Sequence, residues 1–193
     1  MTTTQFYNPT TISQVTVPNT VAGIASIDWN FNPTALVPGA FASSKKPLYT
    51  ISGLWMEKFL SNTSQLWLTG FKFPDTGKNV IGIELQLDVQ RQARIEDLLI
   101  QLTLNGSLIG SNYASTINPV QSDMYTGALL EPLHPKQDLD IYGDSSNVWS
   151  AALSSANIAD NTFGVVVSFQ SNAIYPHRDT VYLNQASLRI TYA

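Results

Sequence analysis

Between Ile81 and Val89 the chain alternates without a break. Ile81, Ile83, Leu85, Leu87 and Val89 stand against Gly82, Glu84, Gln86 and Asp88. A period of two puts every apolar side chain on one face of a strand and every polar one on the other. A second alternation follows, with Leu98, Ile100, Leu102 and Leu104 against Leu99, Gln101 and Thr103. Asn105-Gly106 ends it. Both residues tolerate the positive φ that a two-residue hairpin requires, so Ser107 to Gly110 is predicted to return beside the strand. Such half-buried strands joined by a tight turn predict an antiparallel β-sandwich.

The rest of the chain reads the same way. Gln65 to Phe73 alternates briefly before Gly70 interrupts it, as at a bulge. Pro74-Asp75-Thr76-Gly77 has the composition of a turn. Asp138 to Tyr142 alternates, as do Phe163, Val165, Val167 and Phe169, and then Leu188, Ile190 and Tyr192. Tyr125 to Leu130 is predicted as a short strand. Ser52 to Leu60 fits either one helical turn or an irregular edge. The one short helix is expected between Trp149 and Ile158, where Ala151, Ala152, Leu153 and Ala156 cluster. At 193 residues, with no repeat or linker to divide it, the sandwich is expected to be one domain over 28–193.

Residues 1–27 differ from the rest. No charged residue occurs from Thr2 to Ile27, and Pro9 and Pro18 exclude a continuous helix. β-Branched residues favour an extended chain here. Two readings fit: a strand on the domain's own sheet, or an arm that pairs with the edge of a neighbouring subunit through Phe6, Tyr7, Ile12, Val15 and Val17.

Charged residues make up 12% of the chain, against about 25% in an average globular domain. A surface of uncharged polar groups suits burial in an assembly, because charge is costly to remove from water. The net charge of -4 and the scattered Lys and Arg argue against nucleic-acid binding. With no cysteine there is no disulfide framework and no thiolate metal site. The first residues lack the basic and apolar regions of a signal peptide, and no apolar run approaches the roughly 20 residues that cross a bilayer. The expectation is a chain made in a cytoplasm, with no membrane partner.

No constellation points to catalysis, a cofactor or a metal. His134 and His177 lie on predicted loops without nameable partners. Asp138, Asp140 and Asp144 faintly suggest a calcium loop, but Tyr142 and Trp149 stand where an EF-hand needs oxygen ligands. Glu84 and Asp88 share one strand face at a separation of roughly 13 Å. Glycosidase carboxylates stand roughly 5 to 9.5 Å apart, so that pair is too wide. The four tryptophans, Trp29, Trp55, Trp67 and Trp149, and several loop tyrosines offer stacking platforms for sugars, or packing for a core or interface. Tyr125, Tyr142, Trp149 and Tyr175 are the candidate glycan contacts.

Taken together, these segments resemble a family of virion β-sandwich proteins from tailed bacteriophages and related prophages. The resemblance runs from Trp29, Asn32, Pro33 and Ala35 through Leu66-Trp67-Leu68-Thr69-Gly70-Phe71-Lys72-Phe73-Pro74 to Val80-Ile81-Gly82-Ile83-Glu84-Leu85. It continues through Asp97, Leu98 to Leu104, Asn105-Gly106 and Ile109-Gly110-Ser111-Asn112. Trp149, Phe163-Gly164-Val165, Val181-Tyr182-Leu183 and Leu188-Arg189-Ile190-Thr191-Tyr192 complete it. The sequence departs at Ser150, where glycine is expected, and in the turn Asp75-Thr76-Gly77-Lys78. The resemblance implies a jelly-roll-like sandwich and a non-enzymatic virion component with no catalytic residues to transfer. The expected function is a head decoration or cement protein, a homotrimer contacting the major capsid protein. The alternative is a tail, baseplate or fibre component that binds host glycans.

Overall fold

The computed structural model describes residues 1–16, 25–31, 49–50, 61–91, 95–114, 136–171 and 181–193. The strands are β1 (Thr2–Thr3), β2 (Thr11–Val15), β3 (Ala25–Ile27), β4 (Asn30–Phe31), β5 (Tyr49–Thr50), β6 (Ser61–Thr63) and β7 (Gln65–Thr69). They continue with β8 (Val80–Arg91), β9 (Ile95–Leu104), β10 (Ser107–Ile109), β11 (Lys136–Asp144), β12 (Gly164–Ser171) and β13 (Val181–Tyr192), and one helix, α1 (Ser155–Ala159). The first sheet runs β11-β8-β13-β5-β4, with β1 also on β13. The second runs β10-β9-β12-β6-β3, with β7 also on β12 and β2 on β7. Among these pairs only β3 and β6 run parallel. The predicted all-β sandwich is what the structure shows.

Alternation explains the core. Ile83, Leu85, Leu87 and Val89 of β8 face Ile100 and Leu102 of β9, Val165, Val167 and Phe169 of β12, and Leu66 and Leu68 of β7, all fully buried. The hairpin closes as the sequence predicts, with Asn105 at φ 52 and Gly106 at φ 71, and Ser107 paired to Leu104.

Three register shifts change the parity, one of them between Thr191 and Tyr192, where Ile81 of β8 is skipped. On β13 the register slips between Leu183 and Gln185, so Val181 and Leu183 face inward before it and Ala186, Leu188 and Ile190 after it. On β9 Leu99 pairs with Ser168 but Asp97 pairs with Phe169. Leu98, expected to share the face of Ile100, is therefore skipped, and Asp97 points inward instead. A one-residue bulge exchanges the faces of everything beyond it. On β11 the alternation is inverted: Tyr142 is buried, while Leu139 and Ile141 are 59% and 56% exposed.

The helix is shorter than expected. Trp149 and Ser150 both take positive φ, 57 and 56, which no α-helix accommodates. The Ser154 capping box starts α1 at Ser155. The positive φ also explains why glycine suits the position of Ser150.

Residues 1–16 pair with the chain's own two sheets, the first of the two readings given for them. Thr2 and Thr3 pair with Tyr192 and Thr191, and Tyr7 bridges Leu188. The chain then crosses to the other sheet, where Thr11 to Val15 pair with Thr69 to Gln65. Phe6 lies under Arg189, 4.5 Å from its guanidinium carbon to the ring centre. Tyr7 packs on Phe73, and Ile12 is buried. Val15 is 46% exposed, and Val17 lies outside the described residues.

Candidate functional site

Four of the described carboxylates fasten loops. Asp28 accepts hydrogen bonds from the hydroxyls of Ser64 (2.5 Å) and Thr16 (2.9 Å). Asp75 accepts from Ser155 and from the Gly77 amide, tying α1 to the turn before β8. Asp144 and Asp160 each accept from a hydroxyl and an amide two residues on, in Ser146 and Thr162. These hydroxyl bonds, and then the amide bonds, hold all but Asp28 below the ordinary value of 3.8; at Asp28 the two hydroxyls do it. Burial, and next the Asp75 charge and Tyr7, push the Tyr192 hydroxyl above its ordinary 10.0.

The signs give a pH profile. A depressed carboxyl stabilises the fold fully above pH 3.8 and loses that contribution as pH falls through its folded value. The raised tyrosine stabilises below pH 10.0 and loses its contribution as pH rises through its folded value. The urea midpoint is therefore expected to stay level between these limits and to fall on both sides, as intrinsic tryptophan fluorescence across a pH series would record.

Among the remaining described carboxylates, Asp97 and Asp140 converge on one hydroxyl, and Glu84, Asp88 and Glu96 each have a partner of their own. Glu84 pairs with Arg189 at 2.6 Å, and Asp88 accepts from Asn184 at 3.2 Å. Asp97 is buried and accepts from the Tyr142 hydroxyl at 2.7 Å, with Asp140 3.4 Å from the same oxygen. Among the described residues no three His, Cys, Asp or Glu stand together as a metal site. His134 and His177 fall outside them.

The predicted glycan aromatics divide three ways. Trp149 is fully buried; its Nε1 donates to the Ile83 carbonyl (3.0 Å) and its ring meets Tyr113. Tyr142 is a core residue tied to Asp97. Neither offers a ring face to a sugar, because core packing occupies both, so these two expectations are corrected. Tyr125 and Tyr175 lie outside the described residues, as does Trp55. Trp29 is also core, with its Nε1 on the Ser64 carbonyl at 2.7 Å.

Trp67 is different. It sits between buried Leu66 and Leu68, so it points away from the core, and it is only half-buried. Its Nε1 is enclosed without a hydrogen-bond partner. Cross-strand pairing sets Ser13, Trp67, Val166 and Gln101 in one row across the outer face of the second sheet. Thr11, Thr69, Gly164, Thr103 and Leu108 form the next row. Val15, Gln65, Ser168 and Leu99 lie on the other side. None of these side chains is ionisable. The outer face of the first sheet carries Glu84, Asp88 and Arg189 in comparable positions. The patch centred on Trp67 is therefore the candidate site; Glu96, paired with Gln170, borders it one row beyond Leu99, and Val166, Thr103 and Ser168 within it are buried. The sequence signal for it was the strict alternation Leu66-Trp67-Leu68, which already turns Trp67 outward.

Comparison with known protein families, with curated proteins and with solved structures gives no match.

Proposed function

We propose that this chain is a non-enzymatic structural subunit of a tailed-phage particle, of the head decoration or cement type. It works by laying the outer face of its second sheet against a partner, another copy or the major capsid protein. The observation that carries this reading is the aromatic, uncharged composition of the rows around Trp67, bordered by Glu96, where the other outer face sets Glu84, Asp88 and Arg189 at its centre. An interface centre is depleted in charge and enriched in aromatic residues, because each charge buried without a partner costs free energy. The face around Trp67 has that composition, with exposed Val15 and Leu108 at its margins. The phage assignment is supported by the sequence resemblance. A reconstruction of the intact particle tests it: density for this chain on the head exterior, with Trp67 against a neighbour, is the expected result. Absence from the head would refute the decoration role.

A second reading has its own support. A half-buried tryptophan flanked by Ser13 and the Gln101 amide suits stacking on a neutral sugar, as in a tail or fibre protein that grips host glycans. A glycan array with the purified protein separates the two, since a decoration subunit gives no sugar-dependent signal.

A further inference from the structure

Residues 1–16 form a clip held along two edges. On β13 the Thr4 amide donates to the Ile190 carbonyl (2.9 Å), and Tyr7 and Leu188 exchange amide-carbonyl bonds at 2.8 and 2.9 Å. The Ile190 amide donates to the Thr4 hydroxyl at 3.0 Å. On β7 the Thr10 amide donates to the Thr69 carbonyl (3.0 Å), and β2 continues the ladder. One short segment thus closes an edge of each sheet.

We propose that this clip is exchanged between copies of the chain, residues 1–16 of one copy occupying the β13 and β7 edges of its neighbour. The inference rests on the reading of the chain as an assembling subunit.

Three observations lead there. The bonds holding the clip are main-chain ladders at strand edges, and an identical strand from another copy makes every one of them. The position must be filled. Without the clip, Phe73 loses Tyr7, the Trp29 amide loses the Gln14 side chain (2.9 Å), and two adjacent edges stand open. Finally, residues 17–24 connect the clip to β3. Eight residues extend to at most about 26–29 Å, which sets the largest distance at which a neighbouring copy can take up the clip. A segment without a charged residue from Thr2 to Ile27 is also poorly suited to standing free in water.

The chain has no cysteine, which gives a clean test. Thr3 and Thr191 are paired across the β1–β13 ladder with hydroxyls 3.2 Å apart. Thr3→Cys and Thr191→Cys are made as two separate variants, co-expressed and oxidised. Exchange predicts a covalent product at twice the 21.2 kDa chain mass whose peptide map contains the 3–191 disulfide. Absence of that cross-link from the mixture, while the double variant oxidises to a monomer with the same bond inside one chain, overturns the proposal. Thr191 is buried, so a second pair, Thr11→Cys and Thr69→Cys on the β2–β7 ladder, is read in the same way. A negative result leaves the Trp67 face untouched, because that face is tested by its place on the particle.

Discussion

Replacing Trp149 with alanine is expected to lower the free energy of unfolding by about 3–5 kcal/mol, the range for a large buried aromatic truncated in a core. Trp149 is fully buried and fixes three things at once. Its Nε1 donates to the Ile83 carbonyl of β8 (3.0 Å), and its ring lies 4.4 Å from that of Tyr113. Its own carbonyl accepts from the Ser111 amide at 2.7 Å. Gly143 and Gly110 are fitted around it: a Cβ on Gly143 would collide with Nε1 and with the Ile83 carbonyl, and one on Gly110 with the Trp149 carbonyl. Against a typical domain stability of about 5–15 kcal/mol, this loss is a large share of the whole. Urea unfolding should show a lower midpoint with little change in slope. Trp149→Phe keeps a ring but leaves the Ile83 carbonyl without its donor, and should cost about 1–3 kcal/mol. A loss below about 1 kcal/mol for the alanine variant would mean that this tryptophan does not tie the sheets together.

Charge placed on the patch around Trp67 should have the largest functional effect. Ser13 is exposed and directly beside Trp67 in the row across the second sheet. Ser13→Arg is a surface change, expected to move stability by no more than about 0.5 kcal/mol. If the face is the interface, a guanidinium there must be desolvated without a partner, and Trp67→Ala removes the aromatic centre. Interface centres of this kind lose about 2–4 kcal/mol on such changes, or roughly 30- to 700-fold in affinity. Both variants should fail to join particles made without the wild-type chain, as a sedimentation assay would measure. The paired control is Gln86→Arg on the outer face of the first sheet, which should join normally. Equal incorporation of all three would remove the second-sheet face from consideration.

Much of the fold was legible because period-two alternation is a local property. β8, β12 and the Asn105-Gly106 hairpin follow from residues within a few positions of one another. What the sequence hid depends on distant pairings. Nothing near Leu98 announces that a bulge against Ser168 will turn Asp97 inward. Nothing near Trp149 announces a positive φ, since its conformation is set by Ile83 and Gly110 across the molecule. The candidate site was half legible. Trp67 faces outward by its own alternation, but the uncharged row beside it is assembled from β2, β12 and β9, and only the register reveals it. Trp149 and Tyr142 misled because loop composition does not tell a ring packed inward from one left outside.

The position of β13 sets a timetable. This strand lies between β8 and the clip, and residues 188 to 192 join segments more than 180 positions earlier. The first sheet therefore cannot close on the ribosome until the Val181–Tyr192 stretch has emerged. Up to that moment β8 has β11 on one side and an open edge on the other, and residues 2–7 have no β13 edge to join. Pairings of such long range make folding slow, because the loop-closure entropy of the whole chain is spent before they form.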